Sequence, residues 1–407
     1  MYRNGVILLL LRRSDGASVP HHSRVELYID PPTHHFLKDR LFDSAFAPHL
    51  GDQVLAPYAH LKEFFEARGI AVHTADFLGP PDGALKVYVS LGRWMQYRKL
   101  ASRPDVILSA ILAIEAPAVE PGLYRDLKHA QHVFRRVYSW SDSASLEPFV
   151  GGPLRCLPMR WPQSFEAVHE KIWARSGRKF LVMINGNKIL RYPTPCRELY
   201  SERMKAVEYF GRTGDIDLYG RGWDVPTYRI GHWHVPGTFG KVTVPGTIQR
   251  MHRSLVHRWQ RIFSEPLLAA ARRAYRGSAV SKSETLGNYT FALCFENSIL
   301  KGWVTEKLFD CFFAGTVPVY WGAPDIEECV PPDCFIDMRQ FQDYGALKEH
   351  LKSLKESDIR RYKENARAFL ASPGFRPFTK QAFTEIFARM VEEDAGVKLG
   401  GPAATVA

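Results

Sequence analysis

Short apolar runs alternate with helix-like segments through the first third of the chain. Residues 25–29 form an apolar run that Asp30 and two prolines end, which is typical of a β-strand. Residues 58–68 carry apolar side chains at helical spacing and lead into a glycine, and residues 70–74 form the next short run. The nearly continuous apolar run at 106–114 is of the kind that a parallel sheet buries on both faces. This order predicts a doubly wound α/β domain.

The same pattern begins again after a segment rich in proline and glycine at 148–162. Strand-like runs at 180–184, 215–220, 289–295 and 317–322 alternate with predicted helices at 198–210 and 306–313. We therefore predict two Rossmann-like domains that face each other across a cleft, where the carboxyl ends of their strands meet a ligand. The predicted boundaries are 1–160 for the N-terminal domain, 161–365 for the C-terminal domain, 366–395 for a helical segment and 396–407 for a disordered tail.

Composition indicates an ordinary globular protein with an anionic partner. Of the 407 residues, 45% are hydrophobic and 24% are charged, and the net charge is +11. A surplus of this size favours nucleic acid, an acidic membrane surface or a phosphorylated substrate as the partner. The chain lacks a basic-aromatic strand motif, a zinc-finger pattern and a glycine-rich phosphate loop, so we expect no nucleic acid.

We expect a cytoplasmic protein that contacts a membrane at most peripherally. The apolar run at 6–11 is too short for a bilayer-spanning helix or the core of a signal peptide. A basic amphipathic pattern at 248–263 fits either an anionic membrane surface or the protein's own core, and we favour the core. The six cysteines include no CxxC pair, which argues against a zinc site and indicates reduced thiols.

The densest chemical signal follows the predicted strand at 289–295. A loop containing Gly302 leads to a helix that begins near Thr305, with Glu306 and Lys307 in its first turn. A helix N-terminus attracts phosphate, and a lysine there adds a full positive charge. The alternative is a solvated Glu–Lys pair at a helix start, and residue chemistry alone favours that alternative.

Glu115 is a candidate general base, because it follows the strand at 106–114 and a carboxylate at a strand's carboxyl end faces the cleft. Residue chemistry alone favours the alternative that it caps backbone N–H groups, and Glu120 is a close competitor. Arg197 and Arg203 lie near the predicted helix at 198–210, where six residues of helix would separate them by about 240°. Only one of them can then point into the cleft, and a guanidinium suits a diphosphate well.

The sequence Asp215-Ile216-Asp217 has the DxD spacing of metal-dependent sugar transferases. It falls at the start of a predicted strand, where Ile216 occupies the alternate face. We therefore predict a structural role and no metal site.

These residues resemble the α-1,3-fucosyltransferases of glycosyltransferase family 10. The resemblance rests on FALCFENS at 291–298, GWVTEKL at 302–308 and VPVYWG at 317–322. The N-terminal half matches more loosely through IEAP at 114–117, which is similar to the family's Glu-Ser-Pro base motif with alanine in place of serine.

The resemblance implies a GT-B-type fold, GDP-fucose as the donor and inversion at the anomeric carbon. It further implies Glu115 as the base, and Glu306 and Lys307 as catalytic and donor-site residues. The remaining donor-site residues that it implies are Asn297, Trp303 where the family usually has tyrosine, and Arg203, which is 17 residues before Gly220 and is preferred over Arg197. With cationic side chains at the phosphates, no metal cofactor is needed.

Three hypotheses follow. The leading one is fucosyl transfer to a GlcNAc-containing glycan, with O3 of GlcNAc as the favoured position. The second is a related transferase that uses another nucleotide sugar. The third is a non-catalytic protein that binds anionic polymers, against which the joint presence of Glu115, Glu306 and Lys307 argues.

Overall fold

The computed structural model describes residues 24–46, 52–92, 97–188, 195–223, 238–239, 242–243 and 265–400. The predictions made for 6–11 and 248–263 lie outside these ranges, as does most of the tail at 396–407. Within the described ranges, no helix has the length and apolar character needed to cross a bilayer.

Six parallel strands form the N-terminal sheet, with the order β2-β1-β3-β4-β5-β6. The strands are β1 (Val25–Asp30), β2 (Ala71–Thr74), β3 (Leu85–Ser90), β4 (Val106–Ala113), β5 (Arg136–Ser139) and β6 (Leu157–Pro158). The helices described with them are α1 (Ala56–Glu66), α2 (Tyr97–Leu100), α3 (Pro121–Ala130) and α4 (Ser143–Val150). Because both faces of the sheet are covered, seven of the eight residues of β4 are buried, as its continuous apolar run predicts.

Five parallel strands form the C-terminal sheet, with the order β13-β12-β11-β7-β8. The elements from α5 to β10 are α5 (Glu170–Trp173), β7 (Lys179–Ile184), α6 (Tyr200–Thr213), β8 (Ile216–Tyr219), and the antiparallel pair β9 (Thr238–Phe239) and β10 (Val242–Thr243). Then follow α7 (Glu265–Ala274), α8 (Lys282–Leu286), β11 (Tyr289–Phe295), α9 (Glu306–Ala314), β12 (Val317–Trp321) and β13 (Ile336–Asp337). The chain continues with α10 (Tyr344–Ser353), α11 (Glu356–Leu370) and α12 (Lys380–Ala395).

The predicted fold of two doubly wound α/β domains is confirmed by these two sheets. In each sheet the strand order reverses between the first and third strands, which are β1 and β3 in one domain and β7 and β11 in the other. Ligands of doubly wound sheets bind outside the carboxyl ends of the strands at this reversal. The segments that follow β7 and β11 are therefore the expected binding edge of the C-terminal domain.

The helical segment predicted at 366–395 divides between the two domains. The end of α11 joins the C-terminal core through Phe369 and Leu370. Helix α12 instead packs on the N-terminal core, to which it adds Phe387 and Met390 among others. Its last turn carries Asp394, which accepts hydrogen bonds from guanidinium groups beside β5. The chain thus returns to its first domain after completing the second.

A second junction joins the loop before α9 to the N-terminal domain. The ring of Trp303 stacks on Trp140, with the ring centroids 4.0 Å apart. Arg160 donates to the Gly302 carbonyl at 3.2 Å, and Ser141 Oγ donates to the neighbouring carbonyl of Lys301 at 2.5 Å. Gly302 has φ +73°, and a Cβ there would clash with the Trp140 carbonyl. Only glycine therefore fits this approach without displacing the loop.

The first prediction concerns the return of α12. The Asp394 side chain is 0% exposed and accepts from Arg135 at 2.8 Å and from Arg136 at 2.9 Å. Asp394→Asn should lower the free energy of unfolding by about 1.5–3 kcal/mol, because it removes the buried carboxylate that accepts charged hydrogen bonds from both arginines and leaves Arg136 with the exposed Glu393. Burial would raise the pKa of Asp394, but the arginine hydrogen bonds outweigh it and lower the pKa. The stabilisation by Asp394 is therefore lost as the pH falls through that lowered pKa. The free energy of unfolding of the variant should fall less on acidification than that of the wild type.

Denaturant unfolding at several pH values measures this, with Glu393→Gln as the matched control. Glu393 binds the same Arg136 but its side chain is 53% exposed, so its loss should cost less than about 1 kcal/mol. Equal effects of the two variants would contradict the prediction.

The second prediction concerns the loop junction. Gly302→Ala should lower the melting temperature and expose the stacked tryptophans, which shifts the tryptophan fluorescence to longer wavelength. Gly177→Ala is the control, since Gly177 has a similar φ of +64° but open space around it. The control should cost only the positive-φ strain of about 1–2 kcal/mol and leave the fluorescence unchanged. The same fluorescence in both variants would argue against a close junction at Gly302.

Candidate active site

A fully buried carboxylate organises the carboxyl edge of the C-terminal sheet. Glu296 directly follows β11, and its side chain is 0% exposed. One of its oxygens accepts from the backbone N–H of Thr305 at 2.9 Å, and the other accepts from Lys307 Nζ at 3.1 Å. The Thr305 hydroxyl lies 2.9 Å from both oxygens. A Cβ at Gly322 would clash with Glu296 Cγ, so the final glycine of the VPVYWG segment makes room for this carboxylate.

The start of α9 differs in one respect from the sequence prediction. Thr305 is the N-cap residue, as predicted, but its side chain caps no backbone N–H of the helix. The hydroxyl bonds instead to Glu296, and Lys307 Nζ lies 2.9 Å from it. Side-chain contacts with Glu296 therefore hold the first turn of α9 against the end of β11, and they fix the direction of the Lys307 side chain.

Lys307 and Glu306 form a charged pair at this edge. Lys307 Nζ lies 3.6 Å from Glu306 Oε1, and the Lys307 side chain is 16% exposed. Burial disfavours the charged amine, but the carboxylates of Glu296 and Glu306 outweigh it and raise the pKa of Lys307. The pKa of Glu306 is lowered, because Lys307 and Lys282 outweigh the effect of burial. Both side chains are therefore charged at neutral pH, and Glu306 is 36% exposed and accessible to a ligand.

The two candidate arginines occupy different environments. Arg203 lies on α6 and is buried, and it donates to the Phe295 carbonyl at 2.5 Å and to Asn297 Oδ1 at 3.1 Å. Its buried Nε has no hydrogen-bond partner among the described residues, and burial lowers the pKa of the guanidinium. Arg197 has a side chain that is 59% exposed, pairs with Glu202 at 3.1 Å and lies over the ring of Trp321.

This placement corrects the helical argument for the two arginines. Helix α6 begins at Tyr200, so Arg197 precedes it and no helical angle relates Arg197 to Arg203. Arg203 shares the strand edge with Asn297, and its ring neighbour is Tyr200 with a guanidinium-to-centroid distance of 5.1 Å. The structure thus brings Arg203 and Asn297 to the edge occupied by Lys307, whereas Arg197 lies at the surface beside it.

Trp303 lies apart from this group. Its residue is 1% exposed, because the ring stacks on Trp140 of the N-terminal domain. The indole Nε1 is buried, and within the part of the chain that the structure describes it has no hydrogen-bond partner. In this arrangement the ring supports the junction between the domains, and its contact with a donor stays a prediction.

Glu115 belongs to the N-terminal domain and interacts electrostatically with the charged pair. It lies two residues beyond β4 and is exposed to solvent. Desolvation raises the pKa of Glu115, the charge of Glu306 adds to the increase, and Lys307 and Lys188 reduce it. Glu115, Glu306 and Lys307 are thus close enough for their charges to interact. A carboxylate with a raised pKa is a better proton acceptor than an ordinary one.

Sequence reasoning missed three charged residues of this region. Glu296 adjoins Asn297 in the motif, but nothing in the sequence shows that it is the buried partner of Lys307. Lys188 follows β7, and the rule that ligands bind at strand carboxyl ends could have indicated it. Lys282 lies on α8, and its Nζ is 3.5 Å from Glu306 Oε1. No sequence signal marks that contact, because 24 residues separate the two.

The DxD carboxylates lie in ion pairs. Asp215 contacts Lys348 at 2.6 Å, and Asp217 contacts Lys179 at 2.9 Å and Arg276 at 2.7 Å. The prediction of a structural role is consistent with these partners.

Comparison with known proteins finds similarity in the segment that contains β11 and α9. Residues 255–367 match the model of glycosyltransferase family 10 (fucosyltransferase), C-terminal part. An α-(1,3)-fucosyltransferase FucT of Helicobacter pylori is 38% identical over 74 residues, which are 18% of this chain and 16% of that protein. The human 4-galactosyl-N-acetylglucosaminide 3-α-L-fucosyltransferase 9 is 43% identical over 76 residues, which are 18% of this chain and 20% of that protein. The matched segments thus span a fifth or less of these relatives.

Solved structures align with most of this chain at low similarity. A crystal structure of an α1,3-fucosyltransferase aligns over 94% of both chains with 13% identity and a TM-score of 0.45. An α-glucosyltransferase in complex with UDP-glucose and DNA aligns over 90% of this chain and 99% of that one, with 11% identity and a TM-score of 0.47. Values this low carry no argument about ligands. Glu296, Glu306 and Lys307 all fall within the segment that matches the model of glycosyltransferase family 10.

Proposed function

We propose that this protein transfers L-fucose from GDP-fucose to a hydroxyl of a glycan acceptor, with O3 of a GlcNAc residue as the favoured position. The observation that carries the proposal is the electrostatic interaction of Glu115 with the Glu306–Lys307 pair, which lies in the segment that matches the family 10 model. A base on one domain and a charged donor edge on the other are the two parts that sugar transfer requires.

The donor side of the proposed reaction is electrostatic. As the bond between the fucose anomeric carbon and the phosphate oxygen breaks, its electron pair leaves with GDP and negative charge grows on the diphosphate. Lys307 and Arg203 supply positive charge at this edge, and groups already held in place stabilise that charge without reorganising. Glu306 is ionised and partly exposed, so it can accept hydrogen bonds from fucose hydroxyls or stabilise positive charge at the sugar ring.

The acceptor side needs a proton acceptor. The acceptor hydroxyl oxygen attacks the anomeric carbon from the face opposite the leaving diphosphate, which inverts that carbon, and Glu115 takes the hydroxyl proton. We propose that no metal takes part, because the lysine and arginine side chains occupy the role of a divalent cation at the phosphates. The site Glu115 would serve lies between the two domains, so their junctions set its geometry.

The third prediction tests the donor. GDP-fucose should raise the melting temperature of the protein and UDP-galactose should not, because a ligand of the native state stabilises it by about 2.7 kcal/mol at 100 times its Kd. The purified protein should also transfer fucose to a GlcNAc-containing oligosaccharide, with the same rate in EDTA. An equal shift with UDP-galactose would overturn the fucose assignment, and loss of transfer in EDTA would overturn the metal-free mechanism.

The fourth prediction tests the base. Glu115→Gln should lower kcat by about 10²- to 10⁴-fold, the usual contribution of a positioned general base, while GDP-fucose still raises the melting temperature. Because the pKa of Glu115 is raised, the acidic limb of the wild-type pH–rate profile should lie above the ordinary value of 4.5 and disappear in the variant. Glu120→Gln is the control and should keep the rate and an acidic limb, which shifts slightly to lower pH because the charge of Glu120 helps to raise the pKa of Glu115. Normal turnover of Glu115→Gln would exclude this residue as the base.

A further inference from the structure

Asp52 of the N-terminal domain caps a helix of the C-terminal domain. Its carboxylate accepts from Ser281 Oγ at 2.8 Å, from the Lys282 N–H at 3.2 Å and from the Ser283 N–H at 2.8 Å. These N–H groups lie at the start of α8, where no helical partner exists for them. Burial would raise the pKa of Asp52, but the three hydrogen bonds outweigh it and lower the pKa. The carboxylate is therefore ionised when it makes this contact.

The helix that Asp52 caps is too short to hold its own conformation. Helix α8 has five residues, and isolated helices of this length are unstable in water. Ser281 also caps it from within, by accepting from the Glu284 N–H at 3.1 Å. Its first turn therefore depends on side-chain acceptors, and the one from the other domain is Asp52.

Lys282, the first residue of α8, extends its side chain toward α9. Its Nζ lies 3.1 Å from Asp310 Oδ2 and 3.5 Å from Glu306 Oε1, and the side chain is 24% exposed. Asp310 is one turn further along the same face of α9 as Glu306. The ammonium group thus bridges the two carboxylates and balances charge that would otherwise repel.

We infer that Lys282 is a positioning residue for Glu306 and that Asp52 makes this position depend on contact between the two domains. The inference rests on the role proposed above for Glu306. One continuous series of contacts runs from Asp52 through the backbone of Lys282 to its ammonium group and then to Glu306. When the domains separate, the start of α8 loses the hydrogen bonds to Asp52. The backbone of Lys282 is then no longer held in place, and neither is its ammonium group. Glu306 then loses its contact with Lys282 and keeps its ion pair with Lys307.

The consequence is that the donor edge is complete only while the domains are in contact. Glu306 lies between two ammonium groups, at 3.5 Å from Lys282 and 3.6 Å from Lys307. Removing one of them lets the carboxylate turn toward the other, away from the position it holds now. A displacement of about 1 Å at a reacting centre can cost roughly 100-fold in rate.

The fifth prediction tests this arrangement in the full chain. Lys282→Met should lower kcat for fucose transfer by about 10- to 100-fold with little change in the KM for the acceptor, and Lys282→Arg should recover most of the rate. Asp52→Ala should lower kcat in the same way. The double variant should be no slower than Lys282→Met alone, because both changes break the same series of contacts.

Lys301→Met is the matched control. Lys301 also makes an ion pair between the domains, with Asp142 at 3.2 Å, but its side chain is 50% exposed and it does not contact Glu306. Its loss should leave kcat unchanged. A normal kcat for Lys282→Met, or losses that multiply in the double variant, would overturn the inference.

An unfolding experiment separates this inference from the proposed function. If the wild-type protein transfers no fucose, the proposed function fails, but the contact between Lys282 and Glu306 can still be measured by a double-variant cycle. The shifts in denaturant midpoint caused by Lys282→Met and Glu306→Gln should then not add up to the shift of the double variant. The same should hold for a second cycle that combines Asp52→Ala with Glu306→Gln. Additive midpoints in either cycle would overturn the inference whatever the activity.

Discussion

The buried carboxylate of Glu296 at the end of β11 determines which groups must surround it in the site. Glu296 is 0% exposed, and an ionised carboxylate in such a place is tolerated only when donors surround it. Lys307 and the Thr305 hydroxyl and N–H supply those donors. The partner of the buried charge is therefore also the lysine that we propose at the donor phosphates. Replacing Lys307 alone would leave Glu296 unpaired, so activity and stability would fall together and only a joint change of both residues could separate them.

The contacts between the domains form a second level of the same design. The stack of Trp303 on Trp140 joins the N-terminal domain to the loop before α9. The cap of Asp52 joins it to α8, whose Lys282 contacts α9. The tryptophan stack is buried, and the Asp52 cap makes several hydrogen bonds. The exposed ion pair of Lys301 with Asp142 adds little to the stability of the contact between the domains. The position of the charged pair at the start of α9 is thus determined from both domains.

Much of the fold could be predicted from the sequence, because apolar runs such as 106–114 directly reflect burial in a parallel sheet. The position of Glu115, beyond one of these runs, followed from the same pattern. Contacts between distant segments could not be predicted in this way. The start of α6 at Tyr200 depends on chain geometry near Ser298, which bridges to Glu198, and the pairing of Lys282 with Glu306 depends on how α8 meets α9. Periodicity within one segment carries no information about either.

The return of α12 to the first domain has a consequence for how the protein is made. A ribosome releases β6 long before α12, and the interval is roughly 10 to 40 s at synthesis rates of about 5–20 residues per second. During that time the groove that Phe387 and Met390 later fill is open, and the guanidinium groups that later bind Asp394 lack that partner. The first domain to emerge is therefore the last to be completed, and the apolar surface that α12 covers stays exposed until the end of translation.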